Sequence, residues 1–148
     1  MILSDYKDFP RTGRIFSLDW GLRRCGVAIS DENRDFTFVR PQLYIKSQDE
    51  LIQKVLGIIR EEKVVGIVIG LPLYSDGCES DTTKMVRTFA DSLSKNTSLP
   101  IIFVEENLTS AAAAEEIGRK SISEIKQELD SVSAKIILEN AIAMLKRI

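Results

Sequence analysis

Two short apolar runs constrain this chain more than anything else in it. Val64-Val-Gly-Ile-Val-Ile69 and Pro100-Ile-Ile-Phe-Val104 contain no polar side chain, which is what a strand covered on both faces requires. A strand with one wet face would alternate. Ahead of each run lies a stretch with helical spacing. The first carries Leu51, Ile52, Val55, Leu56, Ile58 and Ile59 and begins at Ser47 or Gln48; the second carries Met85, Val86, Phe89, Ala90 and Leu93 from about Ser80. Helices alternating with such strands build a parallel sheet with the helices packed against it.

The earlier part of the chain follows a different rule. Arg14-Ile-Phe-Ser-Leu-Asp-Trp20 reads as a strand ending at Gly21, and Cys25-Gly-Val-Ala-Ile-Ser30 as a second after a short charged turn. Phe36 to Ile45 is a third extended segment, and Pro41 inside it suits an edge position. Short turns between three strands make an antiparallel meander the simplest arrangement. After Val104 the pattern predicts a helix from Thr109 to about Gly118 and a longer one from about Ser123 to Lys146, with Ser121-Ile-Ser-Glu124 as a capping box. The expected fold class is α/β: a mixed five-stranded sheet with helices on both faces. Residues 14–148 form the expected single domain, and 1–13, closed by Phe9-Pro10 and Thr12-Gly13, a flexible leader.

Composition narrows the chemistry. The 148 residues suit one domain, and 44% hydrophobic with 28% charged is a globular balance. A formal charge of −2 means that any nucleic-acid contact must come from a local basic patch. The first residues show no signal-peptide pattern, and Cys25 and Cys78 have no metal or redox spacing, so reduced thiols in a cytoplasmic protein are expected. Histidine is absent altogether. That removes Ser-His-Asp and Cys-His hydrolases and histidine-ligated zinc, and leaves carboxylates, lysines, hydroxyls or an oxygen-ligated metal as catalysts.

Three carboxylates sit where pattern disfavours them. Asp19 ends an apolar strand, although Asp-x-Gly can equally begin a turn. Glu105 and Glu106 directly follow the Ile101–Val104 run, at the carboxyl end of a strand where α/β sheets build their sites; solvated strand ends are the plain alternative. Asp130 shares a helix face with Ser133, Ala134, Ile137, Ala141, Met144 and Leu145, where an unpaired carboxylate is costly unless that end of the helix is wet. Carboxylates from separate elements converging on one sheet edge are what Mg²⁺ or Mn²⁺ needs. Arg23, Arg24, Lys84 and Arg87 are the candidates for nucleic-acid contact, and the glycines of Gly70-Leu-Pro-Leu-Tyr-Ser-Asp-Gly77 permit a close phosphate backbone. Thr109 reads as a helix N-cap.

Four ordered segments also resemble a known family. Leu18-Asp-Trp-Gly-Leu-Arg-Arg-Cys-Gly-Val-Ala-Ile-Ser-Asp31 resembles the opening motif of the YqgF proteins, the pre-16S rRNA nucleases also called RuvX-like or Holliday junction resolvase-like. Gly70-Leu-Pro-Leu73 with Asp76-Gly77, Glu105-Glu-Asn-Leu-Thr-Ser110 and Leu129-Asp-Ser-Val-Ser-Ala-Lys-Ile-Ile-Leu138 resemble the later motifs, so that the likeness runs from about Arg14 to Leu145. The resemblance implies a ribonuclease H-like fold, selects Glu106 over Glu105, and assigns Asp19, Glu106 and Asp130 as the metal-binding catalytic set. Asn107 departs from the arginine usual there, which removes a cation, and Ser133 from the usual first alanine.

The resulting expectation is a nuclease that hydrolyses phosphodiester bonds with Mg²⁺ or Mn²⁺. By resemblance its substrate is RNA, the 5′ end of precursor 16S rRNA in ribosome maturation. The rival expectations are a Holliday junction resolvase acting on structured DNA, a non-catalytic RNA-binding maturation factor, and a nucleotide-binding module suggested by Asp19-x-Gly21.

Overall fold

A computed structural model describes residues 1–74, 76–106 and 122–148, and the side chains of all of these except 122–131. In chain order the elements are β1 (Ile2–Leu3), a single 3₁₀ turn (Tyr6–Asp8), β2 (Arg14–Trp20), β3 (Arg24–Ser30), β4 (Thr37–Tyr44), α1 (Gln48–Glu62), β5 (Val64–Leu71), α2 (Asp81–Ser94), β6 (Ile101–Glu105) and α3 (Ile122–Lys146). The strands form one sheet in the order β1-β6-β5-β2-β3-β4. β2, β3 and β4 are an antiparallel meander, while β5 pairs parallel with both β2 and β6.

Local chemistry accounts for the boundaries. Ser47 caps α1 by accepting a hydrogen bond from the Glu50 amide, and Lys63 ends it in the left-handed region at φ 54°. Ser80 and Thr83 form a reciprocal capping box at the start of α2. At the outer edge, Pro41 and a register shift between Cys25 and Val27 interrupt the β3–β4 ladder, which protects an otherwise open strand. The helix expected over Thr109 to Gly118 and the capping box at Ser121 lie outside the described residues.

Strand alternation divides the core in two. Phe16 and Leu18 of β2 face α1 and α2, and pack with Leu51, Val55, Val86, Phe89 and Leu93. Ile15 of β2, Ala28 and Val68 face the other way, onto Ala134, Ile137, Leu138 and Ala141 of α3. Helices therefore cover both faces, in a mixed α/β fold of the ribonuclease H-like kind.

Two expectations need correction. The sheet has six strands rather than five, because Ile2 and Leu3 add a short parallel strand beside Ile101 and Ile102. The first thirteen residues are accordingly docked rather than a loose leader. Phe9 is only 2% exposed, and a side chain at Gly66 would come within 2.4 Å of its ring, so the missing Cβ of β5 makes the space the ring fills. Burial of that ring and a backbone bond from the Ile101 amide to the Met1 carbonyl (2.8 Å) tie the segment down.

Candidate active site

The site begins with the alternation of β2. Ile15 and Ser17 face α3, so Asp19, two residues further on, emerges on that same face at the carboxyl end of the strand. Glu106 follows the last residue of β6, and its amide donates to the Leu71 carbonyl at 3.2 Å. The two carboxyl groups share a hydrogen bond, although 87 positions separate them in sequence (106 − 19). Glu106 is pushed up from 4.5 to about 7: burial disfavours its anion, and the bond to Asp19 offsets only part of that. Glu106 therefore exchanges its proton near neutral pH, well above the ordinary carboxylate range. Glu106 Oε2 is buried and accepts no hydrogen bond among the described residues.

Gly70 makes that arrangement possible. A Cβ there would lie 2.4 Å from Ile137 Cδ1 and 3.0 Å from the Glu106 carboxyl carbon, so any side chain would drive both away. Such close approach explains the glycine at the end of β5 better than turn geometry does.

The helix brings the third expected carboxylate to the right level along the strand. At the level of Ile15, whose amide bonds Ser30 Oγ, Thr37 of β4 reaches Glu139 of α3 at 3.2 Å. At the level of Ser17, the contact is Ala134, whose carbonyl accepts the serine hydroxyl at 2.7 Å. α3 therefore runs against β2. One further step of two strand residues, about 6.6 Å, matches the turn of about 6 Å between Ala134 and Asp130. The Asp130 backbone is thus level with the end of β2, and its side chain lies outside the described residues. Among the described residues no group of three or more carboxylates or thiols that could hold a metal comes together.

Asp19 and Glu106 suit a hard divalent cation. Such an ion would be bound by the carboxylate oxygens of this pair, among them Glu106 Oε2, which has no hydrogen-bond partner among the described residues, and the missing side chain at Gly70 clears the space beside them.

The four basic candidates divide between the two faces. Arg24 pairs with Tyr44 on the face that Asp19 occupies, and Arg23 is exposed in the turn after β2. Gly21 permits that turn, since a Cβ would stand 2.9 Å from the Arg24 carbonyl oxygen. Lys84 and Arg87 are exposed on α2, which covers the opposite face. Arg87 is held there by Glu79 (2.5 Å) and lies over the Phe103 ring at 5.5 Å. Asn107 and Thr109 lie outside the described residues. Sequence reasoning did not find Ser17 or the close approach at Gly70; a serine among apolar neighbours on the Asp19 face was the available signal for the first.

Comparison with known proteins gives a consistent result. A family profile described as RuvX, Holliday junction resolvase, matches residues 13–144. A protein of Maridesulfovibrio salexigens, named a candidate pre-16S rRNA nuclease, is 42% identical over 132 residues, covering 88% of this chain and 98% of its own. One of the same name from Rickettsia canadensis is 31% identical, with 99% of each chain covered. Among solved structures, Thermus thermophilus RuvC in complex with a Holliday junction substrate superposes with TM-score 0.56 at 7% identity, over 90% of this chain and 96% of that one. The fowlpox virus Holliday junction resolvase gives 0.50 at 14%, over 91% and 99%. At such identities these two likenesses bear on the fold alone.

Proposed function

The chain belongs to the RuvX family, and on that footing we propose that it is a metal-dependent nuclease acting on the 5′ end of precursor 16S rRNA in the cytoplasm. The observation that carries the reading is the buried contact between Asp19 and Glu106, with Glu106 Oε2 left without a partner among the described residues. The relatives' common name supports RNA as the substrate, while the description of the family profile favours a branched DNA junction as the second reading.

In this proposal Asp19, Glu106 and Asp130 hold Mg²⁺ or Mn²⁺. The bound ion would polarise the scissile phosphate, lower the pKa of a water and stabilise the leaving oxygen. Asp19 is paired with Gly26 of β3, and the residue before it, Leu18, with Ile69 of β5, so its carboxylate meets the site from an ordered strand end with little freedom to lose. Glu106 must release its proton before it can serve as a ligand, which ties occupancy of the site to pH. Gly70 keeps the carboxyl group of Glu106 close to the sheet. Arg24, on the face of Asp19, is available to a phosphate oxygen; Arg87, engaged by Glu79, must give up that ion pair to do the same.

The test is purified protein with Mg²⁺ or Mn²⁺ on precursor rRNA and on a four-way DNA junction, with Asp19→Asn as control. Cleavage of the rRNA by wild type alone is the expected result. Preferential cleavage of the junction would transfer the proposal to the resolvase reading. RNA binding with no metal-dependent cleavage would leave a binding factor in place of a nuclease.

A further inference from the structure

Ser17 has an unusual place for a polar residue. It sits at the centre of β2 between Phe16 and Leu18, is fully buried, and points toward α3 on the face of Asp19. Its hydroxyl donates to the Ala134 carbonyl at 2.7 Å, and the Ala28 carbonyl is 3.5 Å away. The strand backbone around it is paired on both sides without this bond. The Ala134 carbonyl lies inside a helix, where the amide four residues later already supplies a donor. Neither element needs the contact to satisfy its own backbone, so what it adds is a directional tie between β2 and α3.

We propose that Ser17 is a positioning residue of the carboxylate site, fixing the register of α3 over β2; this rests on the nuclease reading above. The apolar contacts of α3, through Ala134, Ile137, Ala141 and Ile142, are non-directional and tolerate a small slide or rotation. A hydrogen bond at 2.7 Å does not. Asp130 is one helical turn from the tie and Asp19 is two strand residues from it, so one bond governs the level at which their backbones face each other. A support bonded directly to a metal ligand is worth about 10- to 100-fold in metal affinity or activity, and the tie at Ser17, one step further back, is expected at the low end of that range.

The experiment titrates Mn²⁺ alone, by calorimetry, into the full-length wild type, Ser17→Ala and Ser17→Thr, with thermal unfolding followed in parallel. Alanine removes one oxygen and is expected to fold but bind Mn²⁺ about tenfold more weakly; threonine, which keeps the donor, is expected to return within about threefold of wild type. On nucleic acid, the Mn²⁺ concentration that half-saturates cleavage should rise about tenfold in Ser17→Ala, whereas a loss of folded protein would lower the amplitude of cleavage and leave that midpoint in place. Equal Mn²⁺ affinity in wild type and Ser17→Ala overturns the inference. So does a stably folded Ser17→Thr that binds as weakly as alanine. A wild type that takes up no Mn²⁺ overturns the nuclease reading itself, and this inference with it, which is a different result from either.

Discussion

On one face of the sheet, α1 and α2 cover Phe16, Leu18, Val27, Ile67 and Ile69 with a cluster of apolar side chains that includes Leu51, Val55, Val86, Phe89 and Leu93. On the other, α3 covers Ile15, Ala28, Val68 and Ile102, but the same surface also carries Ser17, Asp19 and the Glu106 carboxyl group beside Gly70. Both faces come from the same strands by simple alternation, so their different contents reflect what each helix is there to do. The first face can be packed for cohesion alone. The second gives up apolar area to polar groups that need partners, and a residue such as Glu106 stays costly there until something neutralises it.

The largest effect expected from this contrast falls on the cohesive face. Phe89→Ala removes a fully buried ring stacked 6.4 Å from Trp20, and should lower unfolding free energy by about 3–5 kcal/mol in denaturant titration. The fraction that remains folded should retain its metal affinity. If that affinity fell in proportion to stability, the two faces would not be separable.

Glu106 supplies the next largest. Its folded pKa of about 7 lies above the ordinary 4.5, so its protonated form favours folding. That contribution is complete below pH 4.5 and is lost as pH rises through 7. Without metal the chain should therefore lose up to about 3 kcal/mol of stability across this window. Glu106→Gln should flatten the profile, and an unchanged slope in that variant would remove Glu106 as its source.

Gly70→Ala is expected to weaken Mn²⁺ binding by about 10- to 100-fold, because its methyl group would displace the Glu106 carboxyl group and Ile137. Gly66→Ala makes the sharper control. It collides with Phe9 instead, so it should cost stability and leave metal affinity alone. The smallest effect belongs to Ser133→Ala. The Ser133 hydroxyl is buried and has no hydrogen-bond partner among the described residues, so its removal should leave stability within about 1 kcal/mol of wild type or slightly higher, as thermal unfolding would show.

Legibility in the sequence followed range. β2 spans Arg14–Trp20 as its pattern predicts, and α1 begins where Ser47 caps it, because strand alternation and helix caps are local signals. β1 was not legible. Two residues carry no periodicity, and their pairing with Ile101 and Ile102 is specified almost a hundred positions away. The docking of Phe9 depends in the same way on a missing side chain at Gly66. Asp19 and Glu106 stood out singly, as acids at the ends of apolar strands. Their shared hydrogen bond, and the burial that shifts Glu106, arise only when β5 and β6 bring the strand ends together.

Whether Asp19 and Glu106 together hold a divalent cation, as proposed, is decided by a titration of Mn²⁺ at pH 6 and pH 8. Because Glu106 must lose a proton near pH 7, wild type should bind about tenfold more tightly at pH 8, and Asp19→Asn should bind weakly at both. An affinity that is the same at the two pH values and unaffected by Asp19→Asn would contradict the proposal.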